Sequence, residues 1–132
     1  MIYRREILKG FECPPEYEIN LLDLLVKINK VRDAWSQPMI VTSGYRTVAE
    51  HKRIYRKRIA AGKHVPWGSR HLFCQAVDIS DPDGKLYEWC KKNEELLREI
   101  GLWIEEDQGS WVHFQSVAFT SYKATGTIFF KP

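Results

Sequence analysis

The segment GSRHLFCQAVDIS, Gly68 to Ser80, sets a histidine, a cysteine and an aspartate into an otherwise apolar run. His71 and Asp78 carry the donor atoms that zinc takes, imidazole nitrogen and carboxylate oxygen, at about 2.0–2.2 Å. A third donor, His113, sits in SWVHFQ. Two histidines and one carboxylate can make up the protein side of a catalytic zinc site, which keeps a further position open for water. The same residues have a second reading. A histidine in an apolar strand often bonds a backbone carbonyl and binds no metal, and the spacing alone leaves both readings open.

For the three donors to meet, the loop before Ala76, the strand after it and the segment around His113 must converge. Ala76 to Ser80 alternates as a strand does, and DPDG after it is a turn, with Asp81 and Asp83 as turn formers. Leu102 to Glu106 and Trp111 to Val117 read as two strands joined by the tight loop DQGS. Upstream, Ile19 to Ala34 has apolar residues at 21, 22, 24, 25, 28 and 31, which is helical spacing, with Asn20 as its candidate N-cap. MIVTSGY is a short strand ended by Gly44. Thr47 is the candidate cap of a helix through VAEHKRIYRKRIAAG, with Val48, Ile54 and Ile59 as its apolar face and Gly62 as its stop. Lys85 to Ile100 reads as one helix with Leu86, Trp89, Cys90, Leu96, Leu97 and Ile100 inward. TGTIFFKP closes the chain as a last strand or an extended cover. The mixture defines the α+β class, an antiparallel sheet with flanking helices.

The chain has 132 residues, no repeat and no linker, which fits one domain over 1–132. A net charge of +3 is that of an ordinary solvated surface and does not call for nucleic acid as a partner. The basic helix stretch Lys52 to Arg58 is read as a solvated face. Three cysteines, Cys13, Cys74 and Cys90, are an odd set without short spacing, so reduced thiols are expected rather than a disulfide framework. No signal peptide and no run of ~20 apolar residues is visible, so no membrane partner is expected. The expectation is a monomer made in the cytoplasm; a target beyond it would require release by another factor or carriage in a virion.

Ser69-x-His71-x-x-Cys74-x-Ala76-x-Asp78, followed by Trp111-Val112-His113, resembles the signature of the zinc D-alanyl-D-alanine carboxypeptidases. That family includes phage L-alanyl-D-glutamate endopeptidases and shares its fold with the hedgehog signalling domain. Ser43 to Thr47, SGYRT, is similar to the family's Ser-Gly-Tyr-Arg segment, and FFKP to the tail of small phage-encoded members. The resemblance runs from Val41 to His113. It implies Zn2+ held by His71, Asp78 and His113, and Arg46 in contact with the substrate or the developing oxyanion. It implies a peptidoglycan stem peptide as substrate. Ser69 is a candidate substrate contact or a loop-shaping residue, and Ser43 a residue that orients a neighbour. His51 stands where many relatives have asparagine; it and His64 are otherwise expected at surface or helix positions.

Two departures from the family pattern bear on function. Cys74 replaces the usual glycine. It is either a small buried side chain or a thiolate close enough to the metal to close the site. Ser110 occupies the position where better-known members have the acidic base, and serine cannot take that role. Glu105, Glu106 and Asp107 stand just upstream. If the strands pair across a four-residue loop, Glu106 shares a face with His113; a slip of one residue selects Glu105 instead. These acids also suit a solvated hairpin tip. Two functions follow: a zinc peptidase cutting stem peptides, carboxypeptidase or endopeptidase, of the small phage-lysin kind, or a zinc-stabilised binding or virion module without catalysis.

Overall fold

The computed structural model describes residues 1–106, 108–119 and 126–131. Helices α1 (Arg4–Leu8) and α2 (Glu18–Trp35) lead into strand β1 (Val41–Ser43). Helices α3 (Val48–Ile54) and α4 (Arg56–Ala60) and a 3-10 turn at Arg70–Phe73 precede β2 (Ala76–Ser80). Helices α5 (Lys85–Lys92) and α6 (Glu94–Ile100) then precede β3 (Trp103–Glu105), β4 (Trp111–Gln115) and β5 (Phe129–Phe130). The strands form one sheet in the order β1-β2-β4-β3-β5. All pairs are antiparallel except β3–β5, which is parallel. β4 ends on the side of the sheet where β3 begins, so a chain re-entering from that side must run in the direction of β3. The mixed α+β class is as expected, with this one parallel pair added.

Helix α2 buries Leu21, Leu24, Ile28 and Val31, spaced three and four apart, against the sheet and α6. That stripe is the apolar face the sequence shows. The helix begins at Glu18, ahead of Asn20, whose side-chain amide donates instead to the Phe73 carbonyl at 3.1 Å. The single helix expected over Lys85 to Ile100 is broken at Asn93, whose side chain and backbone N–H both bond the Trp89 carbonyl. Its expected inward face is nevertheless kept: Leu86, Cys90, Leu97 and Ile100 are buried, and Trp89 and Leu96 pack against them. Asp81 does more than form a turn, since its carboxylate accepts the N–H groups of Leu86 and Tyr87 at the start of α5.

The helix after Thr47 departs further from expectation. Thr47 caps it, its hydroxyl oxygen accepting the Glu50 N–H at 3.0 Å. The run then breaks at Tyr55, and Val48, Ile54 and Ile59 are exposed. The residue this helix buries is His51. The apolar trio is spaced six and five apart and does not form a continuous stripe, so burial follows the one side chain that faces the loop carrying Arg46.

The sheet separates two faces. Val77 and Ile79 of β2, Val112 and Phe114 of β4 and Ile104 of β3 enter the apolar core. Their alternates Asp78, His113, Gln115 and Glu105 line a cleft on the other face, as the two-residue strand period requires. Trp103 lies opposite Gln115, and Ile104 opposite Phe114. That is the slipped register, one residue away from the pairing a four-residue loop would impose, and it brings Glu105 rather than Glu106 to the His113 face. Among the described residues no helix is long and apolar enough to cross a membrane.

Candidate active site

His71 comes from the 3-10 turn that delivers the chain into β2. The turn ends at Cys74, whose φ of 57° is left-handed, a conformation that glycine adopts at no steric cost. Two hydrogen bonds tie this turn to the segment after β1. The Arg46 N–H donates to the His71 carbonyl at 3.0 Å, and His71 Nδ1–H donates to the Gly44 carbonyl at 2.7 Å. Position 44 has no room for a side chain: a Cβ there would lie 2.1 Å from the Ile7 carbonyl oxygen, which also accepts the Tyr45 N–H at 2.7 Å. The end of α1 thus holds the loop that orients His71. With Nδ1 committed to a carbonyl, Nε2 carries the lone pair, and it faces Asp78 Oδ1 at 3.3 Å.

Asp78 and His113 are direct cross-strand partners between β2 and β4. His113 Nδ1 lies 2.9 Å from Asp78 Oδ1, and its Nε2 lies 3.0 Å from Gln115 Oε1. Donor atoms of His71, Asp78 and His113 all fall within 4.8 Å of one another, and all three residues are buried. Burial works against ionisation of Asp78, but the His113 and His71 rings set against its oxygen outweigh it and hold the carboxyl below the usual range. Burial lowers the pKa of His71 despite Asp78, so its imidazole is neutral. Burial pulls His113 the same way, and there Asp78, Gln115 and Glu105 overcome it and raise the pKa. One anionic oxygen donor and two imidazole nitrogens converging on one point, each ring with its other nitrogen engaged, fit a divalent zinc-type ion and leave room in its coordination shell.

Glu105 Oε2 stands 3.8 Å from His113 Nδ1. Half-burial raises its pKa, Asp78 adds to this, and His113 opposes it. Arg46 lines the same cleft, its guanidinium donating to Ser43 Oγ at 3.3 Å and to His51 Nδ1 at 3.4 Å. Burial and the Arg46 charge lower the pKa of His51, which leaves a neutral ring able to accept. His51 is packed between the rings of Tyr55 and Trp67. The cleft has a volume of about 590 Å³. Ser69, Arg70, Trp67, Trp111 and Phe130 contribute to its walls.

Of the residues singled out in the sequence, His71, Asp78, His113, Glu105, Arg46 and Ser69 meet at this cleft, and Ser43 stands behind Arg46. Glu106 does not line it. Its N–H donates to the Phe130 carbonyl and its carbonyl accepts from Gln108. Asp107 lies outside the described residues. Ser110 is exposed, with its carbonyl bonded by the Asp81 N–H. The Cys74 thiol is fully buried against Cys13, away from the ligand cluster, and burial pushes its pKa up to about 12. Gln115 escaped the sequence reading, though it was legible in principle, since it is two residues from His113 on the same strand face. His51, expected at a surface or helix position, is on helix α3 but fully buried, with Arg46 as its partner.

The model of the family described as Peptidase M15 matches residues 1–114. The chain belongs to the peptidase M15 family. The matched span of this M15 chain takes in every cleft residue named above except Gln115 and the C-terminal Phe130. The fold is similar to that of the crystal structure of Serratia marcescens L-Ala D-Glu endopeptidase ChiX, with a TM-score of 0.52 and 22% sequence identity. The match covers 91% of the M15 chain and 98% of the Serratia one. No curated protein matches the sequence.

Proposed function

We propose that this M15 chain is a zinc-dependent peptidase that hydrolyses a peptide bond in peptidoglycan stem peptides, with His71, Asp78 and His113 as the metal ligands. The observation that carries the reading is the convergence of these three donors beside an acid of raised pKa and an arginine in one cleft. A zinc ion bound there supplies Lewis-acid polarisation of the scissile carbonyl and acidifies a water molecule.

Glu105 is the general base. Its raised pKa suits a group that accepts a proton from the attacking water and returns it to the leaving amine. Arg46 binds the substrate carbonyl oxygen or a peptide carboxylate through guanidinium hydrogens that Ser43 and His51 leave uncommitted. Ser43 and His51 hold that side chain in the cleft. Ser69, which also lines the cleft, bonds substrate. The cationic residues Arg46, Arg70 and Lys131 around the cleft suit a peptide rich in carboxylates. The Serratia protein of similar fold is an L-Ala D-Glu endopeptidase by name, and this supports cleavage within the stem peptide. The lysin role belongs to this proposal, with the enzyme reaching the wall after release by another factor.

The test uses zinc-loaded protein, purified peptidoglycan and defined stem peptides, with products read by mass spectrometry. Cleavage that disappears in His113→Ala supports the proposal, and product masses name the bond. One bound zinc with every peptide left intact would replace it with the binding-module function. Failure to take up zinc under controlled loading would remove the ligand assignment.

A further inference from the structure

Three contacts bear on the orientation of the His113 ring, and Gln115 makes two of them. Gln115 is 6% exposed, at the end of β4. Its side-chain amide nitrogen donates to the Val117 carbonyl at 2.9 Å. A carbonyl can only accept, so this bond fixes which end of the carboxamide is nitrogen. Oε1 must then be the atom 3.0 Å from His113 Nε2, and an oxygen there requires a proton on Nε2. The nitrogen left to face Asp78 is Nδ1, at 2.9 Å.

The sequence explains how this brace is built. Gln115 follows His113 by two positions, so both side chains leave the same face of β4. Ser116 N–H bonds the Gln75 carbonyl at 2.9 Å, anchoring the point where the strand ends. The backbone beyond it bends so that the Val117 carbonyl turns back toward the carboxamide. The His71 ring is held differently, through Nδ1 and a backbone carbonyl, so the two histidines present opposite nitrogens to the same point. A shape-matched apolar side chain at 115 would fill the space but leave His113 free to rotate or to exchange tautomers.

We propose that Gln115 is a positioning residue of the metal centre, which locks His113 as the Nε2–H tautomer so that it binds the ion through Nδ1. This rests on the ligand assignment proposed above. It goes beyond that assignment in naming the coordinating atom and the residue that selects it.

The test compares zinc affinity, by competition with a chromophoric chelator, in the wild type, Gln115→Met and Gln115→Glu. A proton–nitrogen correlation spectrum of the histidine rings in the zinc-loaded wild type accompanies it. The expected result is a roughly 10–100-fold loss of zinc affinity in Gln115→Met, with partial recovery in Gln115→Glu, which keeps an acceptor oxygen for the His113 Nε2–H but loses the bond to the Val117 carbonyl. The spectrum should show the His113 proton on Nε2 and the metal on Nδ1. Thermal unfolding of the metal-free variants reports the fold separately, and should Gln115→Met not fold, the wild-type spectrum and Gln115→Glu decide. Zinc bound by the wild type with a proton on His113 Nδ1, or with unchanged affinity in folded Gln115→Met, overturns the role of Gln115 alone. A folded wild type that takes up no zinc overturns the ligand assignment as well.

Discussion

The carboxylate of Glu105 stands 3.8 Å from the Nδ1 atom of His113, although the two residues lie on different strands and the usual base position before this histidine is Ser110. The relationship is set by the β3–β4 register, in which Ile104 lies opposite Phe114. Glu105→Gln should therefore lower kcat about 10²–10⁴-fold, the range for loss of a positioned acid–base group, with zinc content unchanged. Glu106→Gln should stay within a few-fold of wild type. A steady-state assay on a defined stem peptide measures both. The reverse ranking would restore the register of a four-residue loop and the role of Glu106.

Gly44 couples the N-terminal helix to His71, a proposed metal ligand. Gly44→Ala pushes a methyl group to within 2.1 Å of the Ile7 carbonyl oxygen, and relief of that overlap has to move either α1 or the loop whose carbonyl holds His71. A stability loss of about 3 kcal/mol is expected, in the upper part of the range for overpacking, together with weaker zinc binding. Denaturant unfolding and a metal titration on the same sample measure the pair. A stability loss with full zinc affinity would show that the loop does not transmit the strain to His71.

Cys74→Ala should keep one zinc per chain and nearly full activity, because the thiol packs against Cys13 and lies away from the ligand cluster. The cost should be about 1 kcal/mol of stability from the lost buried atom. Metal analysis and unfolding curves give both values. Loss of zinc in this variant would make the thiol a ligand.

The metal-free protein should lose stability on acidification in part through His51. Its folded pKa is lowered, by burial first and then by the Arg46 charge, whereas unfolded histidine titrates near ~6.5. Above that pH the ring is neutral in both states and contributes no pH dependence. Below it the unfolded chain takes up a proton that the folded one does not, so stability falls until the lower folded pKa is passed. His51→Gln should flatten the slope between about pH 7 and 5. His71, lowered likewise, and His113, raised, titrate in both proteins and drop out of the comparison. Equilibrium unfolding at several pH values measures it, and equal slopes would assign the dependence to other groups.

Local chemistry made part of this protein legible from its residues alone. Donor types in order picked out His71, Asp78 and His113. Alternation marked Ala76 to Ser80 as a strand and narrowed the acid on the His113 face to Glu106 or, after a slip of one residue, Glu105. The helical stripe of α2 and the Thr47 cap needed only neighbours a few positions away. The remaining features depended on contacts between segments far apart in the chain. The break at Asn93 and the choice of His51 over Val48, Ile54 and Ile59 for burial were decided by what each helix packs against. The strand register was decided by the whole sheet, because a hairpin loop alone permits either pairing and a slip of one residue exchanges Glu106 for Glu105. Which nitrogen each histidine turns toward Asp78 was decided last, by the Gly44 carbonyl for His71 and by the Gln115 carboxamide for His113. A ring's orientation depends on the acceptor that the fold brings to its far side, and neither acceptor advertises that role in the sequence.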